Sequence, residues 1–392
     1  KGYASEESAA SDGVVAIIGT NGYGNVQSAV NAAASDETVK LIGDVTINDD
    51  NAGGKLTLTY ADGSQKVSPI GILINNKNIT LDLAGHTITL NTAYGIYGVG
   101  NLTLTSSEET RGEIVAGAGT NAISVTKAAQ AIIENVNING GTTAPTSNLE
   151  LVSVSNSSLK ICNSNVTLDF HHGGTSYQGQ AISTYNSDLT LDGVTVDADS
   201  AEWSYGIAFR GNYDTQELKD ALPNNESMTF KTLTIKNSKI YAQAFAVSGN
   251  GALHGTVFNI TDSKLKGIAG AAIYHPQYGE MTIGGTTTIE GASGIEMRAG
   301  KLVIESGNVN VTATGAFTVD ANGNGSTASG VAVAVSQHTT DLPIDVVIGA
   351  GTYSATGDDG KAFYETDTVS ASPDSNGVTV ALKGGNYTAP VV

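Results

Sequence analysis

Arginine, cysteine and aromatic residues are scarce in this chain, and each shortage narrows what the protein can do. Three of the 392 residues are arginine, and 38 acidic residues outnumber 19 basic ones, which leaves a net charge of −19. Because such a surface repels phosphate backbones, nucleic-acid binding is not expected. The lack of clustered guanidinium groups also argues against a site for a polyanionic substrate.

The single cysteine, Cys162, excludes an internal disulfide, and we expect it to be a small core residue of a strand. No apolar run reaches the roughly 18 residues of a membrane-spanning helix, so none is expected. Aromatic residues make up 6% of the chain and proline only 7 residues, whereas glycine reaches 48. With so few rings, the core is expected to be thin and built from Val, Ile, Leu and Ala.

Residues 25–35 carry the clearest helical pattern, with Asn25 as a suitable N-cap. The apolar positions follow the spacing of one helix face: Val26, Ala29, Val30 and Ala33. A short helix of this kind can cover the open end of a stack of repeats. We therefore interpret residues 1–70 as an N-terminal cap with the first strands.

Residues 71–392 repeat one strand motif of the form L-T-[LI]-x-[NDS], in which apolar residues alternate with polar ones. A second short strand follows each copy, and a third element, a small residue followed by an apolar one, precedes the pair. The apolar residue of this third element is expected at positions 96, 123, 152, 182, 207, 246, 273, 295, 332 and 363. The mean spacing is about 30 residues, which is typical of stacked solenoids.

These repeats predict an all-β fold, a right-handed single-stranded parallel β-helix of about 10–11 coils with a short N-terminal capping helix. One insertion interrupts the repeats near residues 211–227. Within it, Asp214 and Glu217 form a capping-box pattern, which predicts a short helix from Gln216 to Leu222 that ends before Pro223.

The repeat motifs resemble those of the pectin-lyase-like superfamily, and most of all the repeat regions of bacterial cell-surface proteins. The resemblance is carried by the segments 77–90, 101–106, 138–143, 348–353 and 382–387. It implies a secreted or cell-surface, adhesin-like module without enzymatic activity, monomeric within a longer surface protein. The implied partners are polysaccharides or host or surface proteins, and neither a cofactor nor a metal ion is implied.

Candidate ligand-binding residues concentrate in one stretch that contains the only tryptophan. An aromatic ring stacks on the apolar face of a sugar while neighbouring polar groups bind its hydroxyls, so this composition indicates a sugar-binding face. The candidates are His171, His172, Trp203, Tyr205, Arg210 and Tyr213, joined by His275, which we expect on the same face. The alternative is that these are solvated turn residues. The His171–His172 pair has no evident third ligand for a metal.

Catalysis is the other alternative, since many proteins of this superfamily are polysaccharide lyases or glycoside hydrolases. If the chain is an enzyme, its acids are expected among Asp169, Asp192, Asp197 and Asp199. The motifs of these enzymes, such as R-x-P-x-x-R, N-T-D, G-H-G and R-I-K, do not occur. Elsewhere, Glu296 and Arg298 are expected to form an ordinary cross-turn pair.

Overall fold

Parallel strands make up most of the computed structural model, which describes residues 1–222, 224, 228–250, 255–366 and 377–392. The class is all-β, as predicted, with 56% strand and 6% helix. The chain divides into two units, Lys1–Ser183 (unit 1) and Thr184–Val392 (unit 2). No helix among the described residues has the length and hydropathy needed to cross a membrane.

Unit 1 contains three parallel ladders. The first ladder holds the predicted motif strands: Glu37–Leu41, Ile79–Asp82, Leu102–Thr105, Ala131–Glu134 and Ser158–Cys162. The second ladder consists of Val45–Asn48, Thr87–Asn91, Gly112–Ala116, Val136–Thr142 and Asn165–Phe170. The third consists of Gln65–Asn75, Tyr94–Val99, Asn121–Thr126 and Leu149–Ser155. A further strand, Gly179–Tyr185, runs across the boundary between the units.

The N-terminal part of unit 1 holds the predicted helix, which spans Val26–Ala32. Two short elements precede it: the unpredicted helix Glu6–Ser11 and an antiparallel pair, Ala16–Ile18 with Asn21–Tyr23. After it come a 3-10 turn, Asp49–Asn51, and the strand Gly54–Thr59, which pairs antiparallel with Gln65–Asn75. The assignment of residues 1–70 as a separate cap stays a prediction.

Side chains fasten this helix to the neighbouring repeat at both ends. Near its start, the Gln27 amide donates to the carbonyl of Leu73 at 2.9 Å and accepts from the Leu73 N–H at 2.8 Å. Near its end, the Lys77 ammonium donates to three backbone carbonyls at 2.8–3.3 Å, those of Val30, Asn31 and Ala33. A cation at this position also interacts favourably with the helix dipole.

Unit 2 repeats the same three-ladder arrangement. The first ladder consists of Asp188–Asp192, Lys231–Lys236, Thr256–Thr261, Glu280–Gly284, Gly300–Ile304, Ile344–Ile348 and Val378–Leu382. The second contains Thr195–Ala198, Lys239–Ala242, Asn308–Ala313, Thr352–Ala355 and Asn386–Tyr387. The third contains Ser204–Arg210, Phe245–Ser248, Val331–Ser336 and Lys361–Thr366. Two long strands, Lys264–His275 and Thr286–Met297, contribute to both the second and third ladders.

Unit 2 also has two additions to its ladders. One is the helix Thr215–Ala221, within the predicted insertion, whose Asp214–Glu217 capping box is confirmed. Positions 223 and 225–227 of that insertion, including the predicted helix stop at Pro223, lie outside the described residues. The other addition is an antiparallel hairpin, Thr318–Asn322 with Gly325–Ser329.

The register of the third ladder follows the prediction in unit 1 but departs from it by one residue at two places in unit 2. Ile207 pairs with Val247, and Ile295 pairs with Val333, rather than with the alanines one position earlier. At both places the alanine and the valine are buried, so hydrophobicity alone does not select between them. The predicted positions that do pair in unit 1 are Ile96, Ile123 and Val152.

The Asn-Ser and Asp-Ser pairs that follow first-ladder strands hold successive repeats together. In unit 1, the Ser164 hydroxyl donates to the carbonyl of Cys162 at 2.6 Å and accepts from the N–H of Val136 at 3.1 Å. In unit 2, the Ser238 hydroxyl likewise accepts from the N–H of Val194. The preceding residue has a positive φ, as at Asn163 (+45°), which asparagine tolerates better than most residues. Cys162, expected in the core, is half-buried.

Candidate functional site

A groove of about 470 Å³ lies on the outer face of the first ladder of unit 2. We call it the ladder groove. Its volume falls within the roughly 300–1,000 Å³ of typical ligand pockets. The side chains that give it chemical character are Phe230, Tyr278, Glu280, Lys301, Asp345 and Thr379.

Four of these side chains form one polar row across adjacent parallel strands. The backbone register pairs Glu280 with Lys301, Lys301 with Asp345, and Asp345 with Thr379. Lys301 Nζ lies 3.3 Å from Glu280 Oε2, and the Thr379 hydroxyl donates to Asp345 Oδ1 at 2.8 Å. The following residue in each strand points inward, so the row projects outward because of strand alternation.

Two glycines immediately before the row keep the floor of the groove free of side chains. Gly279 and Gly300 have φ values of +122° and +80°. A Cβ atom on Gly279 would lie 1.7 Å from the Thr256 carbonyl oxygen, and one on Gly300 would lie 2.5 Å from the carbonyl oxygen of Gly279. Only glycine fits this close approach of neighbouring strands, and the backbone therefore lines this part of the groove.

An aromatic wall borders the polar row. The rings of Phe230 and Tyr278 lie 6.1 Å apart at an interplanar angle of 89°, and Tyr213 packs against Phe230 at 5.8 Å. These rings pack against a small buried cluster that includes Leu218 of the helix Thr215–Ala221. The insertion therefore positions the aromatic wall, and it brings the predicted ligand residue Tyr213 next to the groove.

Three other predicted ligand residues, Trp203, Tyr205 and Arg210, lie on the third-ladder side of unit 2. Trp203 is 58% exposed in a turn where its φ is +47°. Tyr205 packs at 5.5 Å against Phe245 within the ladder, and burial raises its pKa. Arg210 donates through Nε to the carbonyl of Thr184 at 3.2 Å. These three residues do not line the ladder groove, and their role in binding stays a prediction.

His275 does not reach the surface, so its expected place beside Trp203 is wrong. It is completely buried, its Nδ1 lies 2.9 Å from the carbonyl oxygen of Ala299, and its ring packs edge-on against Phe258. Burial lowers the pKa of His275 to about 4. Strand alternation accounts for its position, because His275 is two residues after the inward-pointing Ile273.

The two other predicted histidines belong to unit 1, together with Asp169. His171 Nε2 lies 3.0 Å from Asp169 Oδ1, and His172 Nδ1 accepts from the N–H of Gly174 at 3.0 Å. Asp169 and Asn139 line a shallow groove of about 400 Å³ on the second ladder. This groove lacks an aromatic wall among its described lining residues, so it has less of the character of a sugar site.

The three predicted acids of unit 2 do not form one cluster. Asp192, on the first ladder, is 3.1 Å from Lys236 Nζ and accepts from the Asn237 amide at 2.9 Å. Asp197 and Asp199 lie on the second ladder and in the turn after it, where the N–H of Asp199 donates to Asp197 at 3.3 Å. Partial burial, followed by the charge of Asp197, raises the pKa of Asp199. Any joint role is therefore limited to the Asp197–Asp199 pair.

Glu296 and Arg298 form the pair expected from the sequence, but the pair is buried rather than an ordinary cross-turn pair. Arg298 is 1% exposed and Glu296 4%, with 3.4 Å between Arg298 Nη1 and Glu296 Oε1. Arg298 also donates to the Ser336 carbonyl, and to Thr327 and the Asn324 carbonyl of the hairpin, which covers the pair. Burial raises the pKa of Glu296 to about 7, although Arg298 opposes this shift.

The polar row of the ladder groove has a recognisable position in the sequence repeats. Each member of the polar row comes one residue before the apolar alternation of its motif strand, as in Glu280-Met-Thr-Ile283 and Lys301-Leu-Val-Ile304. An alignment of the repeats on these strands superimposes the four residues of the row.

Comparison with known proteins gives no match to a family model, a curated protein or a solved structure.

Proposed function

We propose that each unit is a right-handed parallel β-helix of the pectin-lyase-like kind and that the protein is a secreted or cell-surface, adhesin-like module. Three parallel ladders that recur in a fixed order along the chain support the β-helix. Parallel crossover connections are right-handed in nearly all proteins, which supports the hand. The module contacts glycans or glycan-bearing partners through the ladder groove and does not catalyse a reaction.

The juxtaposition of an aromatic wall with a row of charged side chains in one open groove carries this proposal. The ring of Tyr278 offers an apolar surface for the C–H face of a sugar, and Glu280, Lys301 and Asp345 offer acceptors and a donor for its hydroxyls. The side chains project from neighbouring strands, which lie about 4.8 Å apart, so a ligand would meet a regular row of polar groups.

The arrangement of the acids favours binding over hydrolysis. Glu280 and Asp345 are two strands apart, which separates their backbones by about 10 Å. The two carboxyl groups of a glycoside hydrolase face one glycosidic bond and lie about 5–10 Å apart, so the distance alone does not separate binding from hydrolysis. Here Lys301 lies between the two acids in register and is paired with Glu280. The row therefore supports a contact surface.

A diverged polysaccharide lyase or glycoside hydrolase is the second candidate, and the Asp197–Asp199 pair favours it. One member of this pair has a raised pKa, as a general acid needs, and the exposed Trp203 follows in the same turn. Asp197 is half-buried on the second ladder and Asp199 is exposed in the turn after it, and neither residue lines the ladder groove. Release of reducing ends or unsaturated products by the full chain, lost in Asp199→Asn, would replace the binding proposal with this one.

Binding of glycans to the full chain tests the proposal directly. A glycan array, followed by calorimetry with the best probe, should detect binding that weakens about fivefold in Tyr278→Ala, since loss of a stacking ring costs on the order of 1 kcal/mol. Tyr185→Ala removes a partly exposed tyrosine of unit 2 outside the groove and should leave the affinity unchanged. Equal losses in both variants, or no binding at all, would contradict the proposal.

A further inference from the structure

The charges in the ladder groove do not balance. Its described lining residues include two carboxylates, on Glu280 and Asp345, and one ammonium group, on Lys301. The ammonium group is paired with Glu280 at 3.3 Å. Asp345 instead accepts a hydrogen bond from the neutral Thr379 hydroxyl. The described lining residues therefore carry one negative charge in excess.

Among its described lining residues, the groove also has no cluster of cations such as those that recognise anionic sugars. Polyuronates and sulfated glycans are bound by clustered cations, and by guanidinium groups above all. Lys301 is the one cation among the described lining residues, and it is already engaged by Glu280. In unit 2, Arg298 is buried and Arg210 is bonded to the Thr184 backbone. The chain's net charge of −19 adds a long-range repulsion.

A carboxylate with spare acceptor capacity suits the paired hydroxyls of an uncharged sugar. Asp345 Oδ1 accepts from Thr379, which fixes the orientation of the carboxylate. An ionised carboxylate has about four acceptor sites, so the group can accept further bonds from two ligand hydroxyls. The same oxygens would face the carboxylate of a uronic acid with like charge, and that sugar has no proton to donate at this position near neutral pH.

We propose that the ladder groove binds uncharged oligosaccharide chains and discriminates against chains of uronic acids. Asp345 is the residue that determines this selectivity, Thr379 positions it, and Tyr278 supplies the stacking surface. This inference rests on the proposed function, because it names the ligand class of the same groove.

Calorimetry with chains of equal length tests the ligand class. The probes are neutral tetrasaccharides of glucose, galactose, mannose and N-acetylglucosamine, together with tetragalacturonic acid, each added to the full chain at low salt. At least one neutral probe should bind, and tetragalacturonic acid should bind at least tenfold more weakly. Added salt should improve the binding of the acidic probe and leave the neutral one almost unchanged, because salt screens charge repulsion.

Two variants separate selectivity from a general effect of charge. Asp345→Asn should weaken the best neutral probe about tenfold, because a charged acceptor of two hydroxyls is replaced by one neutral amide oxygen. It should strengthen the binding of tetragalacturonic acid about fivefold, because one repulsion of partly exposed charges is removed, so the preference for the neutral probe should narrow by more than tenfold. Glu305→Gln is the control: Glu305 forms an exposed ion pair with Lys383 outside the groove, so its loss changes the net charge equally and should leave the preference unchanged.

The outcomes distinguish this inference from the proposed function. If tetragalacturonic acid binds as tightly as the best neutral probe, or if Glu305→Gln shifts the preference as much as Asp345→Asn, the ligand class is wrong while glycan binding stands. If no probe binds, the proposed function fails and the ligand class fails with it.

Discussion

The buried Glu296 gives a prediction about how stability depends on pH. Its pKa is about 7 in the folded chain, against 4.5 for the unperturbed group. Between these values the folded state keeps a proton that the unfolded state has lost, so stability falls as pH rises. The shift of about 2.5 units, at 1.36 kcal/mol per unit, corresponds to about 3 kcal/mol of unfolding free energy lost between roughly pH 4 and pH 8.

Substitution of Glu296 by glutamine isolates this contribution. Two histidines of unit 2, His275 and His338, have pKa values lowered to about 4, mainly by burial. Their effect has the opposite sign, because the unfolded state binds more protons between pH 4 and 6.5, so stability rises with pH there. These contributions are shared by the wild type and Glu296→Gln and cancel in the difference between them. The variant should therefore gain about 3 kcal/mol relative to the wild type from about pH 4 to pH 8.

Urea unfolding at several pH values measures this difference. The fluorescence of Trp203, the only tryptophan, reports on unit 2. The control is Glu290→Gln, which removes a glutamate that is partly exposed and paired with Lys266. A difference between the wild type and Glu296→Gln that stays constant with pH would refute the reasoning, as would an equal pH dependence in the control.

Two further predictions concern the contacts that hold the helix Val26–Ala32 and the close strand approach beneath the ladder groove. Lys77→Met should destabilise unit 1 by about 1–3 kcal/mol in urea unfolding, because the last turn of the helix Val26–Ala32 loses a charged hydrogen-bond donor. The control Lys55→Met, on an exposed strand, should cost much less. Equal costs for the two variants would contradict the role of Lys77. Gly279→Ala should destabilise unit 2 by more than about 3 kcal/mol, since the added Cβ meets the Thr256 carbonyl. Gly63→Ala, also at positive φ but in open space, should cost about 1 kcal/mol, and a similar loss at both glycines would count against the close approach.

The features of the fold that were predictable from the sequence depend on local patterns. The helix Val26–Ala32 has a complete apolar face and a side-chain cap within a few residues. Apolar and polar residues alternate strictly in the motif strands. A single apolar residue such as Leu189 or Leu233 therefore identifies which side of its strand faces the core. The third element is less defined locally, because a buried alanine precedes the buried valine at Val247 and Val333. Its register is decided by pairing with neighbouring strands, which a single segment does not specify.

The site was harder to predict because its residues are distant in the sequence. The polar row spans Glu280 to Thr379, and each member looks like an ordinary solvated strand residue within its own repeat. The burial of Glu296 and Arg298 depends on the hairpin, whose Thr327 is 29 residues from Arg298. In contrast, Asp192 and Asp197 are close in the sequence, which predicts one cluster of acids. The turn between their strands places them on different ladders.

Because the polar row is in register across separate strands, each position that contributes to the specificity of the ladder groove can change independently of the others. Each of its positions is contributed by a separate strand, and the residue that follows it in the chain points into the core. One position can therefore be exchanged without disturbing the packing beneath it or the neighbours' backbone pairing. A chain built in this way can acquire a new ligand preference one substitution at a time, at little risk to its fold, and the same property makes the row a practical place to engineer glycan selectivity.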